Sequence, residues 1–143
     1  MGSRIDTLIA QCPSWDAFRE LVSHQKTTKD KGDLFERLTQ LYLLTSPIYR
    51  SKIKNVWWCN NGELPEQVRK KVNLPSEDEG IDLLCETKAG EFWSVQSKYR
   101  SNSDQPLTTK ELSKFVSLSF VTGKNISQGL IVHTSTKKIK KHT

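Results

Sequence analysis

The clearest pattern in the chain is a pair of short runs separated by a turn. Residues 81–87 (I-D-L-L-C-E-T) and 91–99 (E-F-W-S-V-Q-S-K-Y) carry the β-branched and aromatic residues of half-buried strands. Between them Lys88-Ala89-Gly90 ends in the glycine that a three-residue hairpin loop needs at its left-handed position. Other segments read by their own periods. Ser14 is a helix N-cap in front of Trp15, Phe18, Leu21 and Val22. Leu34, Phe35, Leu38, Leu41, Tyr42 and Leu44 form a longer apolar stripe that stops before Pro47, predicting the main N-terminal helix. Residues 53–59 (I-K-N-V-W-W-C) read as a strand ended by Asn60-Asn61-Gly62. A short helix with proline in its first turn follows within 65–72. Thr108 and Glu111 offer a capping box to a helix with Leu112, Phe115, Val116, Leu118 and Phe120 on its apolar side, closed by Gly123. Residues 128–134 (Q-G-L-I-V-H-T) are the continuous apolar run of a buried parallel strand.

The order is helix, three strands, helix, strand, which predicts an α/β fold: a mixed sheet flanked by helices, with strand, helix and strand at the end forming a right-handed crossover. The hairpin loop also fixes a register. If Thr87 faces Glu91, Asp82 falls opposite Gln96, and Lys98 lies one step diagonally on the same face. A two-residue loop would instead place Ser97 opposite Asp82 and send Gln96 and Lys98 to the other side.

Composition changes this picture little. At 143 residues, 35% hydrophobic and 27% charged, the chain suits one domain with a single core. No apolar run is long enough to cross a bilayer and no signal-peptide pattern opens the chain, so a cytoplasmic setting is expected. Three widely spaced cysteines, Cys12, Cys59 and Cys85, support neither disulfides nor zinc. The histidines His24, His133 and His142 are too scattered for a cluster. A net charge of +6 favours a polyanion weakly. Much of it sits in Lys137, Lys138, Lys140 and Lys141, which suit a DNA-contacting tail, a solvated end or the start of a linker.

The chemistry of the predicted face is more specific. Asp82 and Gln96 are oxygen ligands of the kind a hard divalent cation takes, and an ammonium such as Lys98 beside it orients water and stabilises charge developing on a phosphate. A plain solvated hairpin with Asp, Gln and Lys on its polar face is the other reading of the same residues. Arg69, Lys70 and Lys71 read either as a solvated charge run or as contacts to a phosphate backbone. Trp57 and Trp58 face opposite ways on their strand, so packing competes with stacking on bases. Glu79, in the acidic loop Glu77-Asp78-Glu79, stands as an outer-shell group, and Glu86 lies too near the turn to reach a metal.

The pattern G-I-D, thirteen residues, then Q-x-K resembles the PD-(D/E)XK nuclease superfamily, with glutamine for the usual acid as in its Mrr-like branch. Within that branch, D-E-G-I-D-L-L followed by E-F-W-S-V-Q-S-K-Y is similar to the nuclease domains that open large restriction enzymes, of type ISP or helicase-fused kind. The resemblance runs from Lys31 to about Ser135, and departs from the superfamily in having Ile81 where a proline often precedes the aspartate. It implies a restriction-endonuclease-like αβββαβ core and a Mg²⁺-dependent DNA endonuclease serving restriction, with Mn²⁺ able to substitute. Asp82 and Gln96 would bind the metal, the Ser97 carbonyl would complete its inner shell, and Lys98 would activate water. The opening K-G-D-L-F-E-R matches a branch pattern that adds Glu36 from the helix, although on the wheel Glu36 falls outside the apolar stripe and also suits solvent. Lys31, Tyr99 and Arg100 are the candidate DNA contacts, with packing or solvation an equal reading for the last two. The implied partner is double-stranded DNA, together with helicase or methyltransferase domains of one longer polypeptide, of which 1–143 would be the N-terminal nuclease domain. A non-catalytic DNA-binding module of the same fold and a junction-resolving or repair nuclease are the alternatives.

Overall fold

The computed structural model describes residues 6, 10, 12, 14–60, 62–75, 80–100 and 106–134. The acidic loop with Glu79, the loop at 101–105 and the lysine-rich end lie outside them. Among the described residues, four strands form one sheet in chain order: β1 (Ile53–Trp58), β2 (Leu83–Thr87), β3 (Phe92–Lys98) and β4 (Ile126–His133). The first two pairings are antiparallel and β3 with β4 is parallel. A parallel neighbour needs a crossover, supplied here by a helix between β3 and β4.

Among residues 14–134, six helical segments surround the sheet. They are α1 (Trp15–Ser23), α2 (Thr28–Thr45), the single turn α3 (Pro47–Arg50), α4 (Glu66–Val72), α5 (Thr109–Val116) and a π-helical turn over Ser117–Thr122 that prolongs α5. Pro47 thus ends α2 as expected but also opens α3, because its missing N–H is harmless in a first helical turn. Ser14 caps α1 by accepting from the Ala17 N–H, and Thr108 and Glu111 form the full capping box of α5. No helix among the described residues is long and apolar enough to cross a membrane.

The hairpin has the register that its loop demands. Gly90 adopts φ +88°, the Thr87 N–H donates to the Glu91 carbonyl at 2.8 Å, and Leu83 faces Val95 while Glu86 faces Phe92. Period two then sorts the residues. Leu83, Cys85, Trp93 and Val95 pack with Leu43 of α2, and Leu84 and Phe92 pack with Val72 of α4 and Phe115 of α5. Helices therefore cover both faces, and each fully buried leucine or valine contributes about 2 kcal/mol of transfer free energy.

Three expectations change. β4 is parallel but not buried: it is the last strand of the sheet, and most of its residues are half-buried or exposed. On α2 the buried set is Leu34, Phe35, Thr39, Gln40 and Leu43, while Tyr42 is half exposed. Polar Gln40 takes an inward position because its amide is fully used. It donates to the Val56 carbonyl at 2.7 Å and to Glu63 at 2.8 Å, and accepts from the Trp58 indole at 2.8 Å and from Arg37 at 2.7 Å. Trp58 is thereby a packing residue rather than a base platform. Arg69, finally, belongs to no exposed charge run. It is buried, and its guanidinium donates to the Pro75 carbonyl and, at 2.5 Å, to the Cys59 carbonyl, tying α4 to the end of β1. Lys71 lies over the Phe92 ring, 5.6 Å from its centre.

Candidate active site

Where β2 begins, the chain crosses three strands at once. The Asp82 N–H donates to the Val95 carbonyl at 2.9 Å on one side, and the Asp82 carbonyl accepts from the Cys59 N–H at 3.0 Å on the other. Its carboxylate is held as well, because Oδ2 accepts the Ser97 N–H at 2.8 Å. A side-chain oxygen replaces a carbonyl of the sheet ladder here, and the carboxylate is pinned at the mouth of the hairpin.

Beside it a cleft of about 280 Å³ opens between β3 and the start of α2. Its walls bring together Glu36 of α2 with Asp82, Ser97 and Lys98 of the hairpin. Glu36 reaches this place because the long helix, docked through Leu34, Phe35 and Leu43, lays its polar N-terminal turns across the strand ends. The Ser97 hydroxyl is buried in the same wall with no hydrogen-bond partner among the described residues. Thr28 and Gly32, which sequence reasoning did not single out, also line the cleft; their position on the first turns of α2 was the available signal.

The candidate DNA contacts divide. Lys31 lines the cleft and also an adjoining polar cavity of about 400 Å³ that includes Arg19 of α1. Tyr99 lies in both walls, but its ring packs on Phe35 with centroids 5.9 Å apart, so it is partly a packing residue. Arg100 lines the cleft with its guanidinium already engaged: Nη2 donates to Glu111 of the α5 capping box at 2.5 and 2.6 Å. Gln96 is brought to the same strand but not to the cleft wall. It is 5% exposed, and its Nε2 donates to the Gly80 carbonyl at 3.1 Å. Glu86, nearer the turn, does not line the cleft and accepts from Asn55 at 2.8 Å.

As a cation site the donor set is sparse. Among the described residues no three His, Cys, Asp or Glu side chains gather into a cage. Two carboxylates, Asp82 and Glu36, with nearby carbonyl oxygens, suit Mg²⁺, which keeps several waters and takes one or two carboxylates plus substrate phosphate rather than an all-protein cage. They do not suit zinc, which wants four nitrogen or sulfur donors in a closed structural site.

Comparison with known proteins follows the same outline. No curated protein matches the chain. Among solved structures it is similar to the ATP-dependent Type ISP restriction-modification enzyme LlaBIII bound to DNA, at 28% identity over 79% of this chain with a TM-score of 0.54. The match spans only 6% of that much longer polypeptide. A family model described as restriction endonuclease, Mrr_cat_2, matches residues 44–143. Lys31 and Glu36 precede that stretch, so the family match carries the hairpin and not the α2 contribution to the cleft. With the sheet, the hairpin and the crossover all inside it, the chain belongs to the Mrr_cat_2 restriction endonuclease family.

Proposed function

We propose that this cleft is the active site of a metal-dependent DNA endonuclease that hydrolyses phosphodiester bonds in the restriction of foreign DNA. The observation that carries the reading is the meeting of Glu36, Asp82, Ser97 and Lys98 in one cleft, from a helix and a hairpin distant in sequence. Two carboxylates and an ammonium around one pocket suit a reaction in which negative charge grows on a phosphate and a water must be aimed at phosphorus.

Asp82 and Glu36 would hold a Mg²⁺ or Mn²⁺ ion, with the Ser97 carbonyl as a further oxygen donor. The ion would neutralise the phosphate and polarise its P–O bonds. Asp82 is suited to this because the Ser97 N–H fixes one oxygen and leaves the orientation of the other set. Lys98 donates hydrogen bonds to the attacking water and to the phosphate oxygens, and holds positive charge where the transition state gains negative charge. Lys31 meets the DNA backbone beside the site, and the cavity next to it extends the contact toward Arg19. DNA as substrate is supported by the likeness to an enzyme solved bound to DNA, and the small share of that enzyme matched here supports a role alongside motor or methyltransferase domains.

The test is cleavage of supercoiled plasmid with Mg²⁺ or Mn²⁺, with EDTA controls, on the wild type and on Asp82→Ala and Lys98→Ala, with DNA binding by gel shift on the same samples. Wild-type nicking or linearisation, with both variants binding but not cutting, is the expected result. Cleavage that survives both substitutions overturns the assignment. Binding without cutting by the wild type at every metal concentration favours the non-catalytic DNA-binding module.

A further inference from the structure

The contact between Gln96 and Gly80 is not accounted for by the chemistry of the cleft. Gln96 stands off the cleft wall with its amide nitrogen on the Gly80 carbonyl. Gly80 is itself buried, and a Cβ on it would lie 2.8 Å from Leu118 Cδ1 and 3.4 Å from Lys114 Cγ. Leu118 belongs to the π-helical turn, whose wider winding is closed by the Gly123 N–H on the Leu118 carbonyl at 2.9 Å. The next residue, Ser119, is buried with its hydroxyl 2.7 Å from that of Ser94 on β3. Gly80 is thus held between the π turn behind and the Gln96 amide in front, two residues ahead of Asp82.

We propose that Gln96 and Gly80 act as positioning residues: the amide donor grips the Gly80 carbonyl, the π turn closes the other side, and together they set where Asp82 leaves the sheet. The proposal rests on the nuclease reading of the cleft. It also gives a reason for glutamine at position 96. A carbonyl accepts hydrogen bonds and donates none, so its partner must be a donor such as the amide N–H, and an ionised carboxylate would face it with like partial charge. On ligand charge alone glutamate would be the stronger metal ligand. The two demands oppose each other, and substitution separates them.

Gln96→Glu, Gln96→Met and Gly80→Ala are compared with wild type and Asp82→Ala, first by thermal melting in EDTA and then by plasmid cleavage across a Mn²⁺ titration well below every melting temperature. Gln96→Glu and Gln96→Met are expected to melt earlier in EDTA and to lose about tenfold or more of cleavage at saturating Mn²⁺, with no recovery on adding metal. Gly80→Ala is expected to follow them, and Gln96→Met decides the matter if Gly80→Ala does not fold. Gln96→Glu that cleaves as well as wild type, or needs less Mn²⁺, overturns the proposal, as does earlier melting with full cleavage. Should Asp82→Ala cleave like wild type, the nuclease reading of the cleft fails, while the melting in EDTA still decides whether Gln96 grips Gly80.

Discussion

Replacing Gln40 by leucine removes four hydrogen bonds at one buried position, 3% exposed, without emptying the space. The losses are unequal. Arg37 keeps its pair with Asp6, at 2.7 and 3.0 Å, and Glu63 keeps the Trp58 backbone N–H at 3.3 Å, so both recover much of what they lose. The Trp58 indole N–H is buried and left without an acceptor, a cost of about 1–3 kcal/mol, and the Val56 carbonyl loses a donor at about 1 kcal/mol. Leucine returns up to about 1 kcal/mol by burying apolar surface. The net is a destabilisation of about 1–4 kcal/mol, a large share of the 5–15 kcal/mol typical of a domain. Urea unfolding followed by tryptophan fluorescence should show a lower midpoint at unchanged slope. Gln40→Glu keeps the acceptor but sets two carboxylates together, and adding Glu63→Gln restores a donor–acceptor pair with the roles exchanged, a coupling of about 1 kcal/mol or more. A Gln40→Leu protein within about 0.5 kcal/mol of wild type, together with no coupling in the double variant, would refute the reasoning.

Two further outcomes follow from burial. Arg69→Met leaves the Pro75 and Cys59 carbonyls without their donor and should cost about 2–4 kcal/mol, read as a lower urea midpoint; Arg69→Lys should recover little, because one ammonium does not reproduce the guanidinium fork. The Cys85 thiol is pushed up to about 12 by burial, above its ordinary 9.0, so the native state keeps a proton that the unfolded chain releases. Stability from this group is full below pH 9 and falls as pH rises toward 12, by about 1.4 kcal/mol per unit, and Cys85→Ala should flatten that part of an unfolding-versus-pH curve.

Legibility from sequence followed how local each determinant is. The hairpin register could be read because one loop of three residues with Gly90 at its end sets it, and every later partner follows by counting. Capping at Ser14 and Thr108 was legible for the same reason, since donor and acceptor lie three residues apart. What could not be read depends on residues far off in the chain. Gln40 looks like a surface position on the helical wheel until Val56, Trp58 and Glu63 are brought against it. Arg69 sits in a basic triplet and is buried only because two carbonyls face it. The exposure of β4 depends on strand order: an apolar run looks the same whether a fifth strand covers it or not. At the cleft, Asp82 and Lys98 came from the hairpin pattern, whereas the Ser97 carbonyl and the place of Glu36 came from family resemblance; Gln96 lies on the strand in the expected register, with its amide on the Gly80 carbonyl rather than in the cleft wall. A period of two assigns a side chain to a face, but not to the wall of a cavity on that face.

The two sources of the cleft are also bound to it with different strength. Asp82, Ser97 and Lys98 are joined across a loop of three residues, so the entropy of bringing them together is small and a hairpin of this kind closes within microseconds. Glu36 arrives only when α2 docks, through packing between residues about fifty positions apart in sequence. Partial opening should therefore strip the helix and its carboxylate from the hairpin first, with the three-residue corner still in place. Loss of cutting should precede loss of the sheet on heating, and amide exchange along α2, rather than along β2 and β3, should report the temperature at which the cleft stops being whole.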